Sequence, residues 1–177
     1  TAATIRYVQG TANSATTQTI TLSLPAATTA RNLRVVGFDS ATTSFVSITD
    51  SRGNIFTQVG AEITSPGGAK TRLYYAKNIV GGADAITITL AATTSYLEAY
   101  IAEYAGANIT NPLDASAQAA GSASSVSSGT LLTTSANDLL LGFCVGDSAC
   151  NTGSGFTARS TFHSNLLEDR LVATAGS

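Results

Sequence analysis

The sequence predicts an all-β protein, an antiparallel two-sheet β-sandwich of jelly-roll-like form, on three observations. Apolar and polar side chains alternate with a period of two along most of the chain. Clusters of Gly, Asn, Asp, Ser and Pro interrupt that alternation at short intervals. No stretch carries a sustained 3.6-residue period, so no amphipathic helix competes.

Taken in order, Thr4–Gln9 is the first strand candidate. Thr17–Leu24 is clearer: Ile20, Leu22 and Leu24 share one face while Thr19, Thr21 and Ser23 share the other. Leu33–Phe38, Ser44–Thr49, Ile55–Val59 and Thr71–Lys77 follow. Ala85–Leu90 repeats the half-buried pattern, with Ile86, Ile88 and Leu90 opposite Thr87 and Thr89. Tyr96–Tyr104, Leu131–Thr134, Leu139–Val145 and Glu168–Ala173 complete the set. The turns fall at Asp50-Ser51-Arg52-Gly53-Asn54, Ser65-Pro66-Gly67-Gly68, Gly81-Gly82-Ala83-Asp84 and Asn111-Pro112. Ala115–Ala123 is Ala-rich and is expected to hold a helical turn at most. Ser122–Gly129 reads as an exposed Ser/Gly loop. Neither side of that loop has a complete sandwich pattern, so residues 1–177 are read as one domain.

Composition narrows the function. Only 11% of the residues are charged, against about 25% in an ordinary globular domain, and Thr, Ser, Ala and Gly take their place. Such hydroxyl-lined strand faces suit a secreted or cell-surface protein. The net charge of −2 argues against nucleic acid, whose phosphates need a basic surface. No run of about 18 apolar residues is present to span a membrane.

Residues for catalysis are sparse. His163 is the only histidine and no nucleophile-elbow motif accompanies it, so it reads as a loop or strand-edge side chain. Glu98 and Glu103 share a strand but are five apart, and period two sends them to opposite faces. Glu168-Asp169-Arg170 reads as a salt-bridged strand end. The expectation is that the protein is not an enzyme and has no cofactor. A structural calcium ion is the one weak candidate, through Asp39, Asp50, Asn54 and Asp84 in or beside turns; the competing reading is that these side chains bond their own loop backbones.

Cys144 and Cys150 are the two cysteines. They form either a short-loop disulfide, as an extracellular chain would favour, or a pair of free thiols. Tyr96, Tyr100 and Tyr104 recur every fourth residue with Glu98 between, so one strand face carries all four. If the aliphatic face is the core, these tyrosines form an exposed stripe with neighbours about 13 Å apart, able to stack on sugars or anchor a partner. If both faces are buried, they are core. Asn108-Ile109-Thr110 fits the N-glycosylation acceptor pattern.

Several phrases together are similar to a loosely characterised group of bacterial extracellular β-sandwich domains found in secreted and surface proteins. They are Thr49–Asn54, Tyr74–Ile79, Gly81–Asp84, Glu103–Gly106, Asn111–Asp114, Ala136–Leu140 and Glu168–Val172. The resemblance implies a fold and carries no catalytic residues. The group's pattern continues past the Glu-Asp-Arg strand into a last strand with a Trp. Here the sequence ends at Ser177 without one. The expectation is either a cut chain or a sandwich whose open groove takes a strand from a neighbour.

The function expected is therefore a non-catalytic extracellular structural or adhesive subunit. It would work as a homo-oligomer or as a filament built by strand sharing. The alternative is a carbohydrate-binding module with polysaccharide as its partner.

Overall fold

A computed structural model describes residues 4–41 and 43–176. Eleven strands form among them: β1 (Arg6–Ala15), β2 (Thr19–Ser23), β3 (Leu33–Ser40), β4 (Phe45–Asp50), β5 (Thr57–Thr64), β6 (Lys70–Ala76), β7 (Ala85–Leu90), β8 (Leu97–Ala105), β9 (Asp138–Cys144), β10 (Thr157–Ser160) and β11 (Leu166–Val172). A short 3-10 turn at Phe162–Ser164 is the only helical element among the described residues. No helix there is long and apolar enough to cross a membrane.

The all-β, antiparallel expectation holds; the two-sheet expectation does not. The strands form three sheets, ordered β1-β8-β3-β6-β5, β2-β7-β4 and β10-β11-β9. The cause is legible in β8, whose residues 97–104 are buried on both faces. A strand hydrophobic on both faces needs a layer on each side. Leu97, Ala99 and Ile101 join Val36, Phe38, Ile20, Leu22, Ile86 and Ile88 in one core, between the five-stranded sheet and β2-β7-β4. Tyr100, Ala102 and Tyr104 face the other way and pack with Val35, Leu167, Leu139 and Phe143 in a second core, beneath β10-β11-β9.

The second core is tight. Gly37 on β3 lies under the Phe143 ring, and a Cβ at that position would stand 2.8 Å from it. Only a residue without a side chain lets the third sheet settle this close to the central one.

Several element boundaries moved. β1 runs six residues beyond the expected end at Gln9, because it pairs with β8 along its length from Arg6↔Ala105 to Ala15↔Leu97. β5 lies two residues later than read at its start and carries an irregularity between Val59 and Ile63. Leu131–Thr134 is not a strand; Thr133 makes a lone bridge with Gly176. β10 was not foreseen, since Thr157-Ala158-Arg159-Ser160 shows no apolar alternation. Ala115–Ala123 holds no helical turn, because alanine propensity without an apolar stripe to bury is weak support. Ser122–Gly129 is exposed throughout, as read.

Candidate functional site

The antiparallel pairing of β3 with β8 places Asp39 directly opposite Glu98. Residues in such register have Cβ atoms about 5 Å apart. Both residues are buried, at 2% and 9% exposure. They lie on the face covered by the β10-β11-β9 layer, where the turn between β10 and β11 closes over them.

That turn is unusual. His163 (φ 52°) and Ser164 (φ 67°) are consecutive non-glycine residues in the left-handed region, a conformation that costs about 1–2 kcal/mol each. It persists because its neighbours determine it. The His163 ring stacks on Phe162 with centroids 4.1 Å apart. Its Nδ1 lies 2.6 Å from Glu98 Oε1, and the side chain is 49% exposed. Asn165 Nδ2 donates to Glu98 Oε2 (2.8 Å), to Tyr100 Oη (2.8 Å) and, longer, to Asp39 Oδ1 (3.4 Å). The Tyr100 hydroxyl lies 3.0 Å from Glu98 Oε2 and 3.1 Å from the Phe162 carbonyl oxygen.

A loop closed by the Cys144–Cys150 disulfide backs the turn. Gly146 N–H donates to Asn165 Oδ1 (3.2 Å) and Cys150 N–H to the Ser164 carbonyl (2.9 Å). The disulfide expectation is thus met.

Electrostatics follow from burial. Asp39 is pushed up to about 8, first by desolvation and then by the facing Glu98. Burial also raises the Tyr100 phenol far above its ordinary range; the Asn165 hydrogen bond opposes this, and the charges of Glu98 and Asp39 reinforce it. Tyr96 is raised by burial and by Asp39, Glu98 and Asp147.

Of the two readings of the tyrosines, exposed stripe or buried core, the core reading holds for Tyr100 and Tyr104. Tyr100 and Tyr104 have no exposed surface, and Tyr96 is half-buried. Period two did place them on one face with Glu98, but the third sheet covers that face. Tyr100 packs on Phe143 at 5.3 Å. The Tyr104 hydroxyl donates to Asp169 Oδ2 at 2.8 Å, and the same carboxylate is gripped by Arg159 through Nε (2.7 Å) and Nη2 (2.8 Å).

The residues considered for calcium do not converge. Asp39 belongs to the cluster above. Asp50 and Asp84 both grip Arg34, whose Nη1 lies 2.8 Å and 2.5 Å from their carboxylates with all three side chains essentially unexposed. The guanidinium occupies the centre between the two acids. Asp50 Oδ1 accepts the backbone N–H groups of Arg52 (3.1 Å) and Asn54 (2.9 Å), which is the loop-bonding reading. Among the described residues no group of three or more His, Cys, Asp or Glu is placed to hold a metal ion.

Glu98 and Glu103 do face apart. Glu103, fully buried, accepts from Gln9 Nε2 (2.7 Å), Thr29 N–H (2.9 Å) and Asn32 Nδ2 (2.6 Å). Sequence reasoning missed the pairing of Asp39 with Glu98 and the part played by Asn165 and His163. The available signal was an Asp ending one apolar strand and a Glu opening another; their register is not written locally.

Comparison of the chain with protein families, with curated proteins and with solved structures gives no match in any of the three.

Proposed function

We propose that this chain is a non-catalytic, extracellular structural or adhesive β-sandwich subunit that works through its surfaces and joins other copies by strand sharing. The contrast between interior and surface carries this reading. Inside, ionisable groups fasten layers and loops to one another: Arg34 with Asp50 and Asp84, Asp169 with Arg159 and Tyr104, Glu103 with Gln9 and Asn32. Outside, the solvent face of β2-β7-β4 is an uncharged grid of hydroxyls.

The grid follows from register. Thr21 and Thr49 both pair with Thr87, and Thr19 and Ser47 both pair with Thr89. Thr21 and Thr87 hydroxyls are 3.0 Å apart, and Thr19 Oγ1 donates to Thr89 Oγ1 at 3.4 Å. Strand spacing sets the rows about 4.8 Å apart across the sheet and about 7 Å along it.

Two further features support assembly. Among the described residues β9 has one strand partner, β11, leaving its other edge open. Beside that edge lies a cavity of about 210 Å³ lined by Leu33, Val35, Leu73, Leu113, Leu131 and Leu139, roofed by the strandless segment 106–137. The unpaired β9 edge suits an added strand, which would displace segment 106–137 from the cavity. The order β1-β8-β3-β6 facing β2-β7-β4 supports the jelly-roll-like description. The disulfide favours an oxidising, extracellular setting.

The test is light scattering with negative-stain microscopy across a wide protein concentration. Ordered filaments, weakened by Leu140→Lys on the β9 edge, are expected. A strictly monomeric protein at every concentration sinks the assembly reading.

The hydroxyl grid also favours the second reading, a carbohydrate-binding module, now by way of the threonines rather than the tyrosines. Retention on an insoluble polysaccharide, lost in Thr21→Lys, supports it; no retention on a broad panel removes it.

A further inference from the structure

We propose that the facing carboxyls of Asp39 and Glu98 form a proton-controlled latch: while Asp39 keeps its proton, the Thr161–Asn165 turn and the disulfide loop behind it stay docked, and loss of that proton in alkaline solution releases both.

The geometry argues for release at this point and no other. Asp39 and Glu98 sit on β3 and β8, each paired with strands on both sides, so neither can move apart. The cover above them is held differently. It belongs to no strand, and side-chain bonds dock it: Asn165 reaches down to Glu98, Tyr100 and Asp39, and its own Oδ1 holds Gly146 of the disulfide loop. The two left-handed residues His163 and Ser164 add strain that relaxes once the turn lifts.

The charges facing Asp39 point the same way. Glu98 and Tyr100 come from β8 and Tyr96 from the segment before it; Asp147 of the disulfide loop acts on Tyr96, and His163 of the turn lies against Glu98. An ionised Asp39 would be a buried carboxylate directly opposite the Glu98 carboxyl, an arrangement that destabilises a strand pair. Water can reach it most cheaply by displacing the turn and the loop.

The sign is set by the raised pKa of Asp39. The neutral form is favoured in the docked state, so docking is strongest below the ordinary carboxylate range, weakens as pH rises from there and levels off above about 8.

The test uses the full, oxidised chain. The Asp39 carboxyl is titrated by carbon-detected NMR, and amide exchange at Gly146 and Cys150 is followed from pH 6 to 9.5 after correction for intrinsic base catalysis. A midpoint near 8 is expected for Asp39, with at least tenfold extra exchange at both amides above it and none in β3 or β8. Asp39→Asn should flatten the exchange step. Glu98→Gln, which removes the facing charge, should move the Asp39 midpoint to lower pH. An Asp39 midpoint in the ordinary carboxylate range overturns the proposal, as does a step that survives in Asp39→Asn or corrected exchange that stays flat in the parent chain.

Discussion

Arg34 and Asp84 are joined across the interior by a 2.5 Å contact between Nη1 and Oδ2, with side-chain exposures of 0% and 1%. This contact ties the central sheet to the turn that precedes β7. Asp50 completes it from the end of β4. A charge pair this deep is costly to break from one side, because the remaining charge has no water to turn to.

Asp84→Ala should therefore lower unfolding free energy by about 3–5 kcal/mol, read from chemical denaturation. The same site sets an acid limit. Burial alone would raise the Asp84 carboxyl, but hydrogen bonds from Ser51 and Arg34 and the charge of Arg34 outweigh it and hold the group below its usual range. Stability from a depressed carboxylate is present above its unfolded value and is lost as pH falls through the folded one. Unfolding free energy should decline below about pH 4, and Asp84→Asn should flatten that decline.

Tyr100 separates a core tyrosine from a ligand-binding one. It has no exposed surface and packs on Phe143 and Phe162. Tyr100→Ala is expected to cost about 3–5 kcal/mol through the cavity it leaves. Tyr100→Phe keeps the packing but strands Glu98 and Asn165 partners, at about 1–3 kcal/mol. A Tyr100→Ala protein of unchanged stability would mean that this side chain is not core.

Gly37 tests the third sheet. A methyl group there meets Phe143, so Gly37→Ala should cost about 1–3 kcal/mol as overpacking. A compensating Phe143→Leu should recover part of it. Additive losses in the double variant would show that β9 does not press on β3.

The disulfide closes a short loop, with a sequence separation of 6. Replacing both cysteines by serine should cost about 2 kcal/mol by the loop-entropy estimate, or about 6 °C in Tm. Exchange at the Gly146 and Cys150 amides should quicken while β8 stays protected.

Much of the framework was legible because strand alternation is a local property. Ile20 and Leu22 against Thr19 and Thr21 declare a face within five residues, and β2 and β7 buried the side chains expected of them. β10 was invisible for the converse reason: Thr157–Ser160 is mostly exposed and half-exposed and owes its strand to pairing with β11. The tyrosines show the boundary most clearly. Their spacing determined that Tyr96, Tyr100 and Tyr104 share a face with Glu98, since period two depends only on the backbone. Whether that face meets water depended on a sheet formed more than thirty residues later in the chain, β9 to β11.

The sequence by itself thus determined the strand class, the two faces of each clear strand, the divergence of Glu98 from Glu103 and a cysteine spacing suited to a bond. Tertiary structure alone decided the third layer, the burial of Tyr100 and Tyr104, the seating of Arg34 between Asp50 and Asp84, and the meeting of Asp39 with Glu98 beneath Asn165 and His163. The physical reason is that alternation is encoded between neighbours in sequence, whereas register and layer packing are settled by contacts between residues far apart, 59 positions in the case of Asp39 and Glu98.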